Sequence, residues 1–108
     1  MVKYRIKILP KAQADIESIC QFIQNYSAQG TLAWIDAFES KITQLAVNAD
    51  ACGPAEESEH FEIPLQQVLF KTKRGSKYRL IFTIRHDEVL ILRVRGPGQA
   101  PVNPIDIE

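Results

Sequence analysis

The sequence predicts an α+β fold with the element order β-α-α-β-β-β, in which a helix hairpin packs on one face of a four-stranded, mainly antiparallel sheet. Three observations predict it: an alternating segment at the start, two amphipathic segments with helical spacing, and three alternating segments separated by short turns. The chain has 108 residues, of which 45% are hydrophobic. We therefore expect a single domain over 1–108 with an irregular tail over 96–108.

The first strand is predicted over residues 2–9, where apolar and basic side chains alternate until Pro10 ends the pattern. A helix over 11–26 follows, because its apolar side chains recur at spacings of four and three: Ala12, Ile16, Ile19, Ile23 and Tyr26. A second helix is predicted over 31–48, with a stripe through Leu32, Ile35, Phe38, Ile42 and Leu45. Gly30 is expected to end the first helix and Thr31 to cap the second.

The second half of the chain predicts a loop and three strands. The loop covers 49–63, and we expect its acidic stretch to be a solvated segment. The strands run over 64–70, 77–85 and 88–95, with a basic turn after the first of them: Lys71, Lys73, Arg74 and Lys77. The last strand is expected to alternate without interruption, with Leu90, Leu92 and Val94 on one face and Val89, Ile91, Arg93 and Arg95 on the other.

Charge is segregated along the chain although the formal net charge is zero. Acidic residues concentrate between Asp50 and Glu62, and basic residues between Lys71 and Arg95. We expect four arginines on a sheet face that nothing in the chain fully covers, as a binding surface for a target: Arg79, Arg85, Arg93 and Arg95. Cross-strand ion pairs with acids on neighbouring strands are the alternative interpretation of each arginine.

Other function classes find no support in the sequence. Two histidines far apart and two cysteines without a C-x-x-C spacing predict no metal site, no disulfide framework and no cofactor. No apolar run approaches the ~20 residues of a membrane span, and the charged start lacks the apolar region of a signal peptide. The expected compartment is the cytoplasm.

Three segments carry a resemblance to a known family. Tyr4-Arg5-Ile6 through Leu9-Pro10-Lys11-Ala12 to Asp15-Ile16 resembles the start of ParE-type toxins and of plasmid stabilisation proteins. Lys77-Tyr78-Arg79-Leu80-Ile81-Phe82-Thr83-Ile84 and Val89-Leu90-Ile91-Leu92-Arg93-Val94-Arg95 resemble their later strands. The resemblance to the RelE/ParE toxin superfamily covers about residues 3–96 in the same element order.

The resemblance implies a bacterial type II toxin neutralised by a cognate antitoxin, with a homodimer or a toxin–antitoxin hetero-oligomer as the assembly. The antitoxin would pack on the helix hairpin or add a strand to the sheet. The hairpin residues predicted to bind it are Ile16, Ile23, Trp34 and Phe38. For Trp34 and Phe38, packing in the core is the stronger expectation than stacking on nucleic acid bases.

The family divides by activity. ParE-like members poison DNA gyrase by binding it, whereas RelE-like members cleave messenger RNA in the ribosome. Arg79 matches an arginine that RelE-like enzymes use near the scissile phosphate, but Gly96-Pro97-Gly98-Gln99 stands where many relatives have an arginine-bearing turn. No Tyr or His follows residue 86, and the end of the chain is acidic. We therefore expect a ParE-like toxin, with a ribosome-dependent endoribonuclease and an inactive relative that keeps antitoxin binding as the alternatives.

Overall fold

The computed structural model describes residues 3–73, 75–97 and 99. Its helices and strands are β1 (Arg5–Ile8), α1 (Pro10–Gln24), α2 (Ala28–Asn48), β2 (Gln66–Phe70), β3 (Tyr78–Arg85) and β4 (Glu88–Arg95). The sheet has the order β1-β4-β3-β2, in which β1 pairs parallel to β4 and the other neighbours are antiparallel. The predicted α+β fold, element order and mainly antiparallel sheet are confirmed.

The turn between the helices differs from the prediction. Ser27 is the N-cap of α2, and its side-chain oxygen accepts a hydrogen bond from the Gly30 N–H at 2.9 Å. Gly30 therefore lies in the first turn of α2 and does not end α1. The Thr31 side chain is buried instead of capping, and its hydroxyl donates to the Ser27 carbonyl at 3.3 Å. A Cβ at position 30 would lie 3.2 Å from Ile23 Cγ2, so the helices approach closely here.

The main core lies between the helix hairpin and the sheet. Trp34, 2% exposed, stacks on Phe38 with ring centroids 5.5 Å apart, and both rings contact Phe70 on β2. The expectation that Trp34 and Phe38 are packing residues is confirmed. The apolar stripe of α1 also faces this core, except that Tyr26 is 78% exposed, so the prediction is wrong for the last residue of the stripe.

A β-bulge changes the faces of β4. Ile81 pairs with Arg93 while the next residue, Phe82, pairs with Ile91, so Leu92 is an extra residue without a partner on β3. Val89, Ile91 and Val94 therefore all face the helix-side core, whereas Leu90 and Leu92 face away from it. The predicted uninterrupted alternation is wrong because periodicity breaks where a strand gains one residue.

The sheet face away from the helices is covered by the covering segment, residues 53–65. Ala55 and Leu65 are buried in a second apolar cluster with Ile81 of β3 and Leu92 of β4. Backbone bonds hold the segment, with the Ala55 N–H donating to the Leu65 carbonyl at 2.9 Å and the Gln67 N–H donating to the Gly53 carbonyl at 3.1 Å. The predictions of an uncovered face and of a fully solvated acidic loop are therefore wrong.

The predicted tail over 96–108 is described only at Gly96, Pro97 and Gln99. The prediction that the tail is irregular lies mainly outside the described residues. Within the described part of the chain, neither helix combines the length and the apolar character that crossing a lipid bilayer requires.

Candidate functional site

Arg79, the residue that matches the RelE-like arginine, lies on β3 in a cluster of internal contacts. Its Nη1 donates to Glu57 Oε1 at 2.9 Å and to Gln67 Oε1 at 2.8 Å, and its Nη2 donates to Glu57 Oε2 at 2.7 Å. This two-pronged geometry is the strongest form of an arginine–carboxylate pair. The hydrogen bond to Glu57 raises the pKa of the Arg79 guanidinium above its ordinary value, against the opposing effect of burial.

Glu57 comes from the covering segment and is only 3% exposed. A carboxylate in such a position needs a partner, because leaving water without one costs several kcal/mol. Its neighbour Glu56 lies 3.6 Å from Arg79 Nη2 and is largely exposed. The contact between Glu57 and Arg79 thus neutralises the guanidinium and also fixes the covering segment on the sheet.

Arg93 has an equally close internal contact, with Asp15 of α1. Arg93 Nε and Nη2 donate to the two carboxylate oxygens at 2.7 and 2.8 Å, and the Val94 N–H donates to Asp15 Oδ2 at 2.9 Å. β1 ends at Ile8, opposite Ile91, so within the described part of the chain no strand pairs with the last residues of β4 on that side. Asp15 satisfies the open edge of β4 at this point.

The other two predicted arginines lie apart. Arg95 pairs with Arg79 across the strands, whereas Arg85 is exposed at the far end of β3, roughly 20 Å away along the strand. Arg85 pairs in register with Glu88, but the carboxylates of that turn contact Arg5, with Asp87 at 3.1 Å and Glu88 at 3.9 Å. The structure therefore brings Arg79 and Arg95 together and does not bring the four arginines into one open patch.

The basic turn between β2 and β3 is exposed. Lys71, Lys73 and Lys77 are exposed, and no described carboxylate forms an ion pair with them. Arg74, the fourth predicted basic residue, lies outside the described residues. We call Lys71, Lys73 and Lys77 the lysine turn. It is an exposed part of the predicted basic surface, as Arg85 is at the other end of β3.

The hairpin residues predicted to bind an antitoxin divide by burial. Trp34 and Phe38 are buried in the core, and Ile16 and Ile23 are half-buried against it. Exposed apolar side chains of the hairpin include Phe22 and Tyr26, which are 62% and 78% exposed and have ring centroids 5.3 Å apart, and Leu32 and Val47 of α2. Sequence reasoning missed the Phe22–Tyr26 pair, because both rings fell within the range read as one apolar stripe.

Phe22 also borders a groove beside α1. The groove has a volume of about 310 Å³ and is lined by Ser18, Ile19, Phe22, Tyr78, Gly96, Pro97 and Gln99. A Cβ at Gly96 would lie 2.8 Å from Tyr78 Cε2, so glycine at this position leaves room for the Tyr78 ring at the groove wall. We call this feature the α1 groove. Gly96 could have been singled out from the sequence only as a turn residue, not as a contact.

The described residues hold no group of three or more His, Cys, Asp or Glu side chains that could bind a metal ion. Cys20 and Cys52 are both half-buried free thiols, and burial raises the pKa of each. Tyr78 is half-buried too, and burial raises the pKa of its phenol. None of these groups lies in the Arg79 cluster.

Comparison with known proteins identifies the family. The family described as ParE toxin of type II toxin-antitoxin system, parDE, matches residues 6–101, which is nearly the whole chain. A search of curated proteins gave no match. The match covers both helices, the four strands except for Arg5 of β1, the lysine turn and the α1 groove. The chain belongs to the ParE toxin family of type II toxin–antitoxin systems.

Proposed function

We propose that this toxin acts in the cytoplasm by binding and poisoning a protein target such as DNA gyrase, and that a cognate antitoxin neutralises it. One observation carries the choice of a binding mechanism over RNA cleavage. Arg79, which matches the RelE-like arginine, is occupied by Glu57 and Gln67 next to the covering segment. A phosphate could reach its guanidinium only by displacing an internal carboxylate.

Among the described residues, the Tyr and His side chains that could take part in RNA cleavage lie away from the Arg79 guanidinium. Attack by a 2′-hydroxyl requires a base, an acid and cations that stabilise the developing charge. Tyr78 lies on the opposite face of β3, where its ring packs 5.6 Å from Trp34 and 5.8 Å from Phe70. His86 is at the far end of the strand, and the sequence has no Tyr or His after it. These placements support a toxin that works by contact.

The target-binding role predicted for Arg79, Arg85, Arg93 and Arg95 stays a prediction. The contacts of Arg79 with Glu57 and of Arg93 with Asp15 favour a structural role for these two. Arg85 and Arg95 keep the predicted role in the proposal.

For the antitoxin we propose the α1 groove with the neighbouring Phe22–Tyr26 pair. Exposed aromatic rings beside an apolar groove suit the apolar face of an amphipathic helix. The outer edge of β2 offers a second contact. The covering segment occupies this edge at Gln66 and Gln67, and the edge continues past them to the exposed Leu69. A short strand of the antitoxin would extend the sheet at this edge.

The activity is tested with purified toxin and DNA gyrase in a supercoiling assay. We expect inhibition at micromolar toxin, and its relief when the protein of the neighbouring reading frame is added. Primer extension on translated messages after induction tests the alternative. Cleaved transcripts together with uninhibited gyrase would replace the proposal with the endoribonuclease.

The antitoxin surface is tested separately by comparing Phe22→Ala with Val47→Ala. Both side chains are exposed on a helix, but only Phe22 lines the α1 groove. Losing a central aromatic contact costs about 2 kcal/mol of binding, so we expect Phe22→Ala to weaken antitoxin binding about 30-fold. Val47→Ala should leave the affinity unchanged. Equal affinities for the two variants would move the antitoxin elsewhere on the toxin.

A further inference from the structure

The lysine turn holds like charges side by side. Phe70 and Tyr78 are register partners at the end of the β2–β3 ladder, with Cα atoms roughly 5 Å apart. Lys71 and Lys77 follow and precede this pair, so they leave the sheet from neighbouring positions. The Gly75 N–H donates to the Thr72 carbonyl at 3.2 Å and closes the turn between them. A side chain at Gly75 would collide with the Thr72 hydroxyl, so the tight turn requires glycine at this position. An anion would relieve the repulsion that this geometry imposes.

The surroundings of the turn determine what kind of anion fits. Lysine ammonium groups are mobile point charges that suit phosphates along a backbone better than a fixed bidentate contact. The nearest aromatic rings, Phe70 and Tyr78, contact the helix-side core. They therefore offer no stacking platform for the bases of a single strand. The α1 groove, the apolar feature that could anchor a peptide, is lined by residues other than the three lysines.

We propose that the lysine turn binds the phosphate backbone of double-stranded DNA, without sequence preference. This inference rests on the proposed function, since a toxin bound to gyrase meets the DNA that the enzyme holds. Zero net charge makes the turn the source of the attraction, because the chain as a whole has no excess charge to offer. The turn would strengthen the grip of the toxin on a gyrase–DNA complex.

The test measures binding of the toxin to a fluorescent DNA duplex of about 20 base pairs by anisotropy at several salt concentrations. Three lysine–phosphate contacts give a log–log slope of about −2.7, which is about a 40-fold loss of affinity between roughly 50 and 200 mM salt. In K71Q/K77Q the slope should fall to about −0.9, with affinity at least about tenfold weaker at low salt. K3Q/K7Q is the matched control, since it removes the same charge from exposed positions on or beside β1, at the opposite edge of the sheet.

No binding by the unchanged toxin at low salt, or equal weakening in both double variants, would overturn the proposal. So would binding of the lysine turn to a polyglutamate peptide in preference to DNA, which would assign the turn to an acidic protein segment. Equal melting temperatures of the variants exclude misfolding as the cause.

The gyrase assay on the same proteins separates the two proposals. Lysine-dependent DNA binding without gyrase inhibition would remove the proposed target and keep the DNA surface. Full inhibition by a toxin that binds no DNA would keep the target and remove the surface.

Discussion

Two arginine–carboxylate pairs lie at opposite ends of the sheet, and they differ in burial. At the end of the lysine turn, Arg79 and Glu57 are 18% and 3% exposed, with a closest N–O distance of 2.7 Å. At the β3–β4 turn, Arg5 and Asp87 are 71% and 62% exposed and 3.1 Å apart. The exposed pair can open into water at little cost, whereas opening the buried pair leaves a charge out of water. The buried arginine–carboxylate pair therefore fixes the covering segment on the sheet, whereas the exposed pair contributes little to the stability of the β3–β4 turn.

The same contrast separates Arg79 from Lys77, although Lys77 lies just before β3 and only two positions from Arg79. Arg79 is neutralised inside the fold, whereas Lys77 is exposed with no described carboxylate against it. A basic residue is a candidate for binding a partner only when no internal acid already satisfies it. By this criterion the lysine turn is an open cationic surface within the described residues, whereas Arg79 is not.

The largest effect is expected from Glu57→Gln. The substitution keeps the side-chain volume but removes the buried carboxylate and leaves the exposed Glu56, 3.6 Å away, facing the Arg79 guanidinium, which costs about 3 kcal/mol of unfolding free energy. Urea unfolding at neutral pH measures it. Glu62→Gln is the control, because Glu62 is an exposed residue of the same covering segment and should change stability by less than about 0.5 kcal/mol. If both variants unfold at the same urea concentration, the buried pair does not fix the segment.

Asp15→Asn tests the second buried pair. The amide keeps one acceptor oxygen but loses the charge and turns an NH2 donor toward Arg93, which weakens the contacts to Arg93 and the Val94 N–H, so we expect a loss of about 2 kcal/mol. Hydrogen exchange provides a local measurement, since the Val94 amide should exchange faster than in the unchanged toxin. Glu17→Gln, an exposed substitution on the same helix, should affect neither quantity. Unchanged protection of Val94 would mean that the open edge of β4 does not depend on the carboxylate.

Local periodicity predicted what depends on near neighbours along the chain. The alternation along β3 puts Tyr78, Leu80, Phe82 and Ile84 on one face, and all four pack in the helix-side core. The stripes of both helices likewise predicted a hairpin on that face, and the prediction is wrong at Leu32 and Tyr26, which are 65% and 78% exposed. These patterns repeat within a few residues, so one segment is enough to read them.

The remaining features depend on contacts between distant segments. Glu57 meets Arg79 across 22 positions of the sequence, and Asp15 meets Arg93 across 78. Neither pairing has a local signal, so the acidic loop looked solvated and the arginines looked open. The bulge at Leu92 is invisible for a related reason, because it shows only when two strands are aligned.

His86→Gly separates turn geometry from chemistry at the exposed end of the sheet. His86 has a φ of 58°, which glycine adopts without the cost of a Cβ. The backbone strain that glycine removes from the folded state exceeds the conformational entropy that it adds to the unfolded chain. We therefore expect about 0.5 kcal/mol of added stability in thermal unfolding. Ser76→Gly, at a loop position without positive φ, should destabilise instead. Toxicity on induction should be kept in His86→Gly, and its loss would point to a chemical role for the imidazole.

The smallest effect is expected from Arg5→Gln in the exposed pair. The hydrogen bond from Arg5 holds the pKa of the Asp87 carboxyl below its ordinary value of 3.8, so the variant should raise that pKa, as measured by an NMR titration. A lowered pKa in the folded state contributes stability above the unfolded pKa and loses it as the pH falls through the folded value. The contribution is therefore fully present at neutral pH, but water screens it so strongly that Arg5→Gln should not measurably change stability there. Lys7→Gln, also on β1, should leave the pKa of Asp87 unchanged. A stability loss at neutral pH as large as that of Glu57→Gln would erase the distinction between the two ends of the sheet.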